Sequence, residues 1–197
     1  MQDTPLHIVH YPHPTLRHKS KPVKRVDGEL ARTIQEMCRL MYASGGIGLA
    51  ANQVNLPLRL FVVNLAAKPD EGEELVFINP VITRPKGNEE SEEGCLSFPE
   101  LWGPVKRPKQ VTVNAFNLKG EEIIAEITGM LARVVQHETD HLDGVLFPDR
   151  MSATATAQVQ PLLEEFELAF NNRHRTGEIP GDEKIAARLA EWEKRYC

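Results

Sequence analysis

The sequence predicts an α+β fold, with antiparallel sheets packed around a central metal-binding helix that carries His-Glu-x-x-His and a helical extension at the carboxy end. Three observations lead there. Runs rich in branched and aromatic residues, Leu58–Asn64, Leu75–Asn79, Gln110–Asn117 and Glu121–Ile127, are bounded by turn formers, as strands are. The last two flank Asn117-Leu118-Lys119-Gly120, a hairpin loop that makes neighbouring strands antiparallel. Elsewhere apolar residues return at helical spacing, which separates helices from the strands.

Taken in order, Leu6–Val9 is a short apolar run, and Pro12, Pro14 and Pro22 give an irregular, extended approach to the first helix. That helix spans about 29–44, because Leu30, Ile34, Met37, Cys38 and Met41 share a stripe that Gly45-Gly46 ends. Cys38 on this stripe reads as a small core residue. Gly46-Ile47-Gly48-Leu49-Ala50-Ala51-Asn52-Gln53 lacks the Lys-Ser or Lys-Thr of a phosphate loop; it is backbone stripped of side chains, ending in an amide able to donate to an oxyanion. Val81–Thr83 is a continuation of the second strand, and the acidic piece 84–94 is expected to be loop. Val159, Leu162, Leu163, Phe166 and Phe170 predict a carboxy-terminal helix, 171–181 a linker, and Ile185, Leu189 and Trp192 a last helix from about Asp182, whose apolar face requires a partner. Cys197 is expected at a frayed end. The division is a main unit at 1–172 and a linker with an additional helix at 173–197.

Composition narrows the class. With 197 residues the expectation is one domain plus an appendage. A net charge of -5, from 23 basic and 28 acidic residues, leaves no basic footprint for nucleic acid, and no apolar run reaches membrane-spanning length. Met1-Gln2-Asp3-Thr4-Pro5 resembles neither a secretion signal nor a transit peptide, so the expectation is a cytoplasmic protein or one already processed. Three scattered cysteines make no disulfide framework.

The chemistry lies in Gln136-His137-Glu138-Thr139-Asp140-His141-Leu142-Asp143-Gly144. Histidines four apart on a helix stand on one face and can grip one metal, while Glu138, about 100° around, can handle the protons of a water. The bland alternative is a solvated histidine pair, but apolar Met130, Leu131, Val134, Val135, Leu142, Val145, Leu146 and Phe147 surround the motif and imply burial. A catalytic site of this kind needs a third ligand and an open position. Phe147 stands where one hydrolase class has a third histidine; Glu164, Glu165 and Glu167 are candidates of a second class; Cys95, in Glu93-Gly94-Cys95-Leu96-Ser97, is the third option.

Taken together, Gly46–Gln53, Glu93–Ser97 and Gln136–His141, in that order and spacing, resemble the peptide deformylases, and the resemblance covers about residues 5–155. It implies an enzyme that removes the formyl group from formyl-methionine at the start of new polypeptides. It implies Cys95, His137 and His141 as ligands of one divalent metal, Fe2+ first, with Zn2+, Ni2+ or Co2+ as alternatives. Glu138 becomes the general base and then acid, and the Gln53 amide with the Leu96 backbone N–H holds the oxyanion. Ile47, Gly48 and Gly94 would pair with an extended peptide, and Ile47, Met130, Val134 and His137 would line the methionine pocket. Ser91 departs from the apolar residue common in the family and puts that wall in question. The implied partners are N-formylmethionyl nascent peptides and, with them, the ribosome. Two other readings compete: a zinc endopeptidase of the His-Glu-x-x-His kind, and a non-catalytic domain with a structural metal.

Overall fold

The computed structural model describes residues 5–197; the reading of Met1–Thr4 lies outside the described residues. The first helix, α1 (Gly28–Ala43), starts at Asp27, whose carboxylate accepts from the Glu29 and Leu30 N–H groups at 3.1 and 2.9 Å, two donors a helix start leaves open. It buries Leu30, Ile34, Met37, Cys38 and Met41, the stripe its spacing predicts.

Five strands form the main sheet: β1 (Gly48–Ala50), β2 (Leu60–Val63), β3 (Leu75–Lys86), β6 (Gln110–Phe116) and β7 (Glu122–Thr128). They stand in the order β1-β2-β3-β6-β7, every pair antiparallel. The β6–β7 hairpin turns through Asn117, whose side-chain oxygen accepts from the N–H groups of Lys119 and Glu121. β2 is buried at all four positions, which explains its unbroken apolar sequence. Strand β1 occupies one edge, with β2 on one side only.

The stretch 84–94 is not loop. β3 runs on to Lys86, and β4 (Glu89–Cys95) pairs antiparallel with β5 (Phe98–Arg107) in a separate two-stranded sheet. The cause is that β4 contributes backbone and β5 contributes the core. Glu89, Glu90, Ser91 and Glu92 face solvent, while Phe98, Leu101 and Val105 are buried from the other strand. A strand solvated at four successive positions carries no alternation to read.

Helix α2 (Gly129–Leu142) packs against both edges and the middle of the main sheet. Every residue from Ala132 to Leu142 is buried, polar ones included, and Gly144, with φ of 73°, turns the chain just beyond. Helix α3 (Ala153–Arg175) begins at Ser152, whose Oγ accepts from Ala155 N–H, and lays Leu162, Leu163 and Phe166 on the cluster of Phe98, Leu101, Val105 and Phe147. It reaches Arg175, so the linker is shorter than 171–181; the charged residues there are the exposed end of a helix.

The partner of α4 (Asp182–Tyr196) is this same chain. Trp192 and Tyr196 enter the core shared by α1, β1 and β2. Lys24 N–H donates to the Tyr196 carbonyl at 2.7 Å, and Tyr196 Oη donates to Asp27, tying α4 to the cap of α1. Cys197 is half-buried against this cluster, not frayed. No helix among the described residues is long and apolar enough to cross a membrane.

Candidate active site

α2 and the end of β4 meet at the site. His137 and His141, one turn apart, hold their rings with centroids 5.0 Å apart, and Cys95 Sγ lies 3.2 Å from His141 Nε2. The ligand atoms of Cys95, His137 and His141 all lie within 4.8 Å of one another, the only such cluster among the described residues. Glu164 and Glu165 are exposed on α3, and Glu167 accepts from the Tyr11 hydroxyl at 2.8 Å, so none of the glutamates joins it. Phe147 is buried beside His137 and supplies packing, not ligation.

The donor set fits a metal ion. Two imidazoles and a thiol are the nitrogen and sulfur ligands of a zinc- or iron-type site, and three protein ligands leave a position open. Burial opposes a charge on His137, but its bonds to Cys95 and Glu93 outweigh that and push its pKa up to about 10. A metal that binds here displaces that proton, and the partners that held it attract the cation in its place. His141, desolvated and facing His137, is held well below the usual range and stays neutral, as a ligand must.

A buried ion network orients these ligands. His137 Nδ1 meets Glu93 Oε2 at 3.0 Å, which leaves Nε2 for the cluster. Glu93 also accepts from Arg107 Nε and Nη2 at 2.7 and 2.9 Å and from Arg133 Nη1 at 2.6 Å. Arg107 then donates to Asp140 at 2.7 Å, and Arg150 to Asp140 at 2.6 Å. Although burial alone would raise it, the Glu93 pKa is pulled down to about 2 by His137 and Arg107, so the carboxylate is charged. Asn52 fixes the helix end by donating from Nδ2 to the His141 carbonyl.

Glu138 keeps one oxygen, Oε2, without a partner. It is buried, and desolvation pushes its pKa up to about 7 against the pull of His137 and Arg107. Such a group exchanges protons near neutrality. Gln53 approaches from the other side, with Nε2 donating to Cys95 Sγ at 3.3 Å and to Ser97 Oγ at 3.2 Å.

A cavity of about 900 Å³ opens over this cluster, lined by Ile47, Gly48, Gln53, Gly94, Leu96, Met130, Val134, His137 and Glu138. Every sequence-designated residue thus meets here. The two glycines are forced by crowding: a Cβ on Gly48 would strike Glu138 and Val134, and one on Gly94 would come within 2.9 Å of the Trp102 ring. β1 and β4 each have only one strand partner, so the cavity lies beside two unpaired strand edges. Ser91 is exposed on β4 and does not line the cavity, so the wall it put in question is built by other residues.

Sequence reasoning did not assign Glu93, Ser97, Arg107, Arg133 or Asp140. No local pattern singles them out: Gln136–His141 is an unbroken polar run that hides Asp140, and Arg133 precedes it as an arginine on a helix like any other.

The family model of the polypeptide deformylases matches residues 5–157. This chain belongs to that family. A peptide deformylase of Rhodopirellula baltica is 51% identical over 192 residues, 98% of this chain and 96% of the relative. Peptide deformylase 1B, chloroplastic/mitochondrial, of Arabidopsis thaliana is 40% identical over 187 residues, 94% of this chain and 67% of the relative. The crystal structure of plant peptide deformylase PDF1B superposes with a TM-score of 0.86 at 38% identity, covering 92% of this chain and 98% of that one. The polypeptide deformylases are metal-dependent hydrolases that act on formylated nascent peptides. The cluster of Cys95, His137 and His141 is where this family member can hold its metal.

Proposed function

We propose that this deformylase hydrolyses the N-terminal formyl amide of formyl-methionyl peptides with Glu138 as proton carrier and Cys95, His137 and His141 as metal ligands. The observation that supports it most is the position of a buried Glu138, its Oε2 without a partner, beside a three-ligand cluster at the base of a cavity bounded by two free strand edges.

When bound, a divalent cation supplies Lewis acidity, lowering the pKa of a coordinated water and polarising a carbonyl oxygen. Fe2+ is the first choice by family, with Zn2+, Ni2+ and Co2+ compatible with the same donors. Glu138 takes a proton from the attacking water and returns one to the departing amine nitrogen, and its burial, which disfavours the charged carboxylate, helps it take that proton up. The C–N bond of the formamide breaks, a C–O bond forms, and formate and a free amino terminus leave. Gln53 Nε2 and the Leu96 backbone N–H donate to the oxyanion, which a water-excluded site rewards. The peptide extends between the edges near Gly48 and Gly94 and adds a strand. Ile47, Met130, Val134 and the ring face of His137 surround the methionine side chain.

The catalytic unit is 1–172, and 173–197 reinforce it. Substrates of this kind place the enzyme where translation occurs, in the cytoplasm, with the ribosome as the expected neighbour. The direct test is formate release from formyl-Met peptides by metal-loaded protein, with mass spectrometry of the products and metal analysis after anaerobic purification. Acetyl-Met peptides are expected to react far more slowly, because the formyl carbon bears only hydrogen and the oxyanion donors close round it. Cleavage of internal peptide bonds without formate would refute the proposal.

A further inference from the structure

We propose that Ser97 is a positioning residue whose hydroxyl fixes the side-chain amide of Gln53 toward the reacting carbonyl. The inference rests on the oxyanion role given to Gln53 above. Gln53 and Ser97 are both sealed from solvent, at 1% and 0% exposure. The Ala50 backbone N–H donates to Gln53 Oε1 at 2.8 Å. A backbone N–H can only donate, so this contact decides which end of the amide is oxygen.

An amide held at its oxygen alone still swings, because its last torsion is broad. Ser97 removes that freedom. Its Oγ accepts from Gln53 Nε2 at 3.2 Å and so engages one of the two amide hydrogens. The remaining one donates to Cys95 Sγ at 3.3 Å, a contact that an oxyanion forming beside the thiol would take over.

The hydroxyl is itself carried on anchored backbone. Tyr11 N–H donates to the Ser97 carbonyl at 3.0 Å, and Ser97 N–H donates to Cys95 Sγ at 3.4 Å. Ser97 does not line the cavity, so it reaches substrate only through Gln53. A serine present merely to satisfy its own burial would not need an amide fixed at both ends.

The test is a double-mutant cycle of Ser97→Ala and Gln53→Ala, read as kcat and KM for a formyl-Met peptide with metal content measured in each variant. Ser97→Ala is expected to lower kcat about ten-fold with KM and metal content unchanged, a fraction of the roughly 100-fold to 1,000-fold that loss of an oxyanion donor itself costs. In the Gln53→Ala background the same substitution should change kcat by less than about two-fold, since positioning residues are non-additive with what they position. A second reading needs no turnover. In metal-free protein the Gln53 side-chain amide protons should exchange slowly with solvent, and in Ser97→Ala they should exchange rapidly. Equal losses in both backgrounds, or an unchanged amide exchange, overturn the proposal. Absence of formate release by the unaltered enzyme would instead remove the deformylase reading, leaving amide exchange to decide whether Ser97 holds Gln53.

Discussion

Replacing Glu93 with glutamine tests whether the buried network sets the metal site or merely accompanies it. The carboxylate accepts four hydrogen bonds, two at each oxygen: Arg107 Nε and Arg133 Nη1 at Oε1, Arg107 Nη2 and His137 Nδ1 at Oε2. An amide of the same shape keeps one oxygen, so whichever end becomes NH2 loses two bonds and faces two donors. Both arginines keep their charge in a site where Glu93 and Arg107 are each 5% exposed. Breaking a buried pair in this way costs about 3–5 kcal/mol. If the NH2 group turns toward His137, the imidazole also loses the partner that sets its tautomer, and losses of this type weaken metal binding by roughly 10-fold to 100-fold. Urea denaturation of the metal-free protein and chelator competition for the metal read the two effects separately. A stability loss below about 1 kcal/mol with unchanged metal affinity would refute the reasoning, because a buried charged group with four donors cannot be neutralised at so small a cost.

Glu138→Gln should keep the metal and lose turnover by about 100-fold to 10,000-fold, measured as formate release beside metal content; near-normal turnover would remove Glu138 as proton carrier. Cys95→Ala should lower metal occupancy sharply, while Cys38→Ala and Cys197→Ala leave it intact, since neither lies in the cluster; equal occupancy in all three would displace Cys95 as a ligand. Trp192→Ala removes a side chain 5% exposed and its stacking on Tyr196, and should cost about 3–5 kcal/mol in denaturation while kcat is kept well below the melting temperature. His13 accepts from Thr15 N–H, and burial pushes its pKa down to about 4. The unfolded chain binds this proton more readily, so stability should fall as pH drops from about 6.5 toward 4, and His13→Gln should flatten that part of the profile. An identical slope in the variant would assign the effect to other groups.

Legibility followed the physics of each segment. α1 and the β6–β7 hairpin were readable because burial on one side leaves a period in the sequence, with Gly45 ending α1; α2, buried all round, was readable from the spacing of its histidines and the stop at Gly144. β4 was not, because four consecutive solvated residues say nothing about pairing, and its β5 partner hides its core positions among Pro99, Gly103 and Pro104. The ligands were legible for a similar reason, since His137 and His141 depend on local helix geometry. Cys95 required the family resemblance. The orienting shell was invisible, because Glu93 and Arg133 lie 40 residues apart, and Arg107 and Asp140 lie 33 apart. Nothing local distinguishes such arginines from surface ones until the fold brings them together.

The seating of Trp192 and Tyr196 in the core of α1, β1 and β2 fixes an order of events during synthesis. Leu30, Met37 and Leu58 are made early, but the surface that covers them is among the later parts to leave the ribosome. A chain halted within the α3–α4 turn would hold its catalytic helix and strands complete and still display an open apolar trough, the kind of surface that recruits chaperones or promotes self-association. A protein whose substrates are unfinished chains therefore spends its own unfinished interval in a sticky state, and alterations near residue 192 should be felt as poor yield of folded protein before they are felt as poor catalysis.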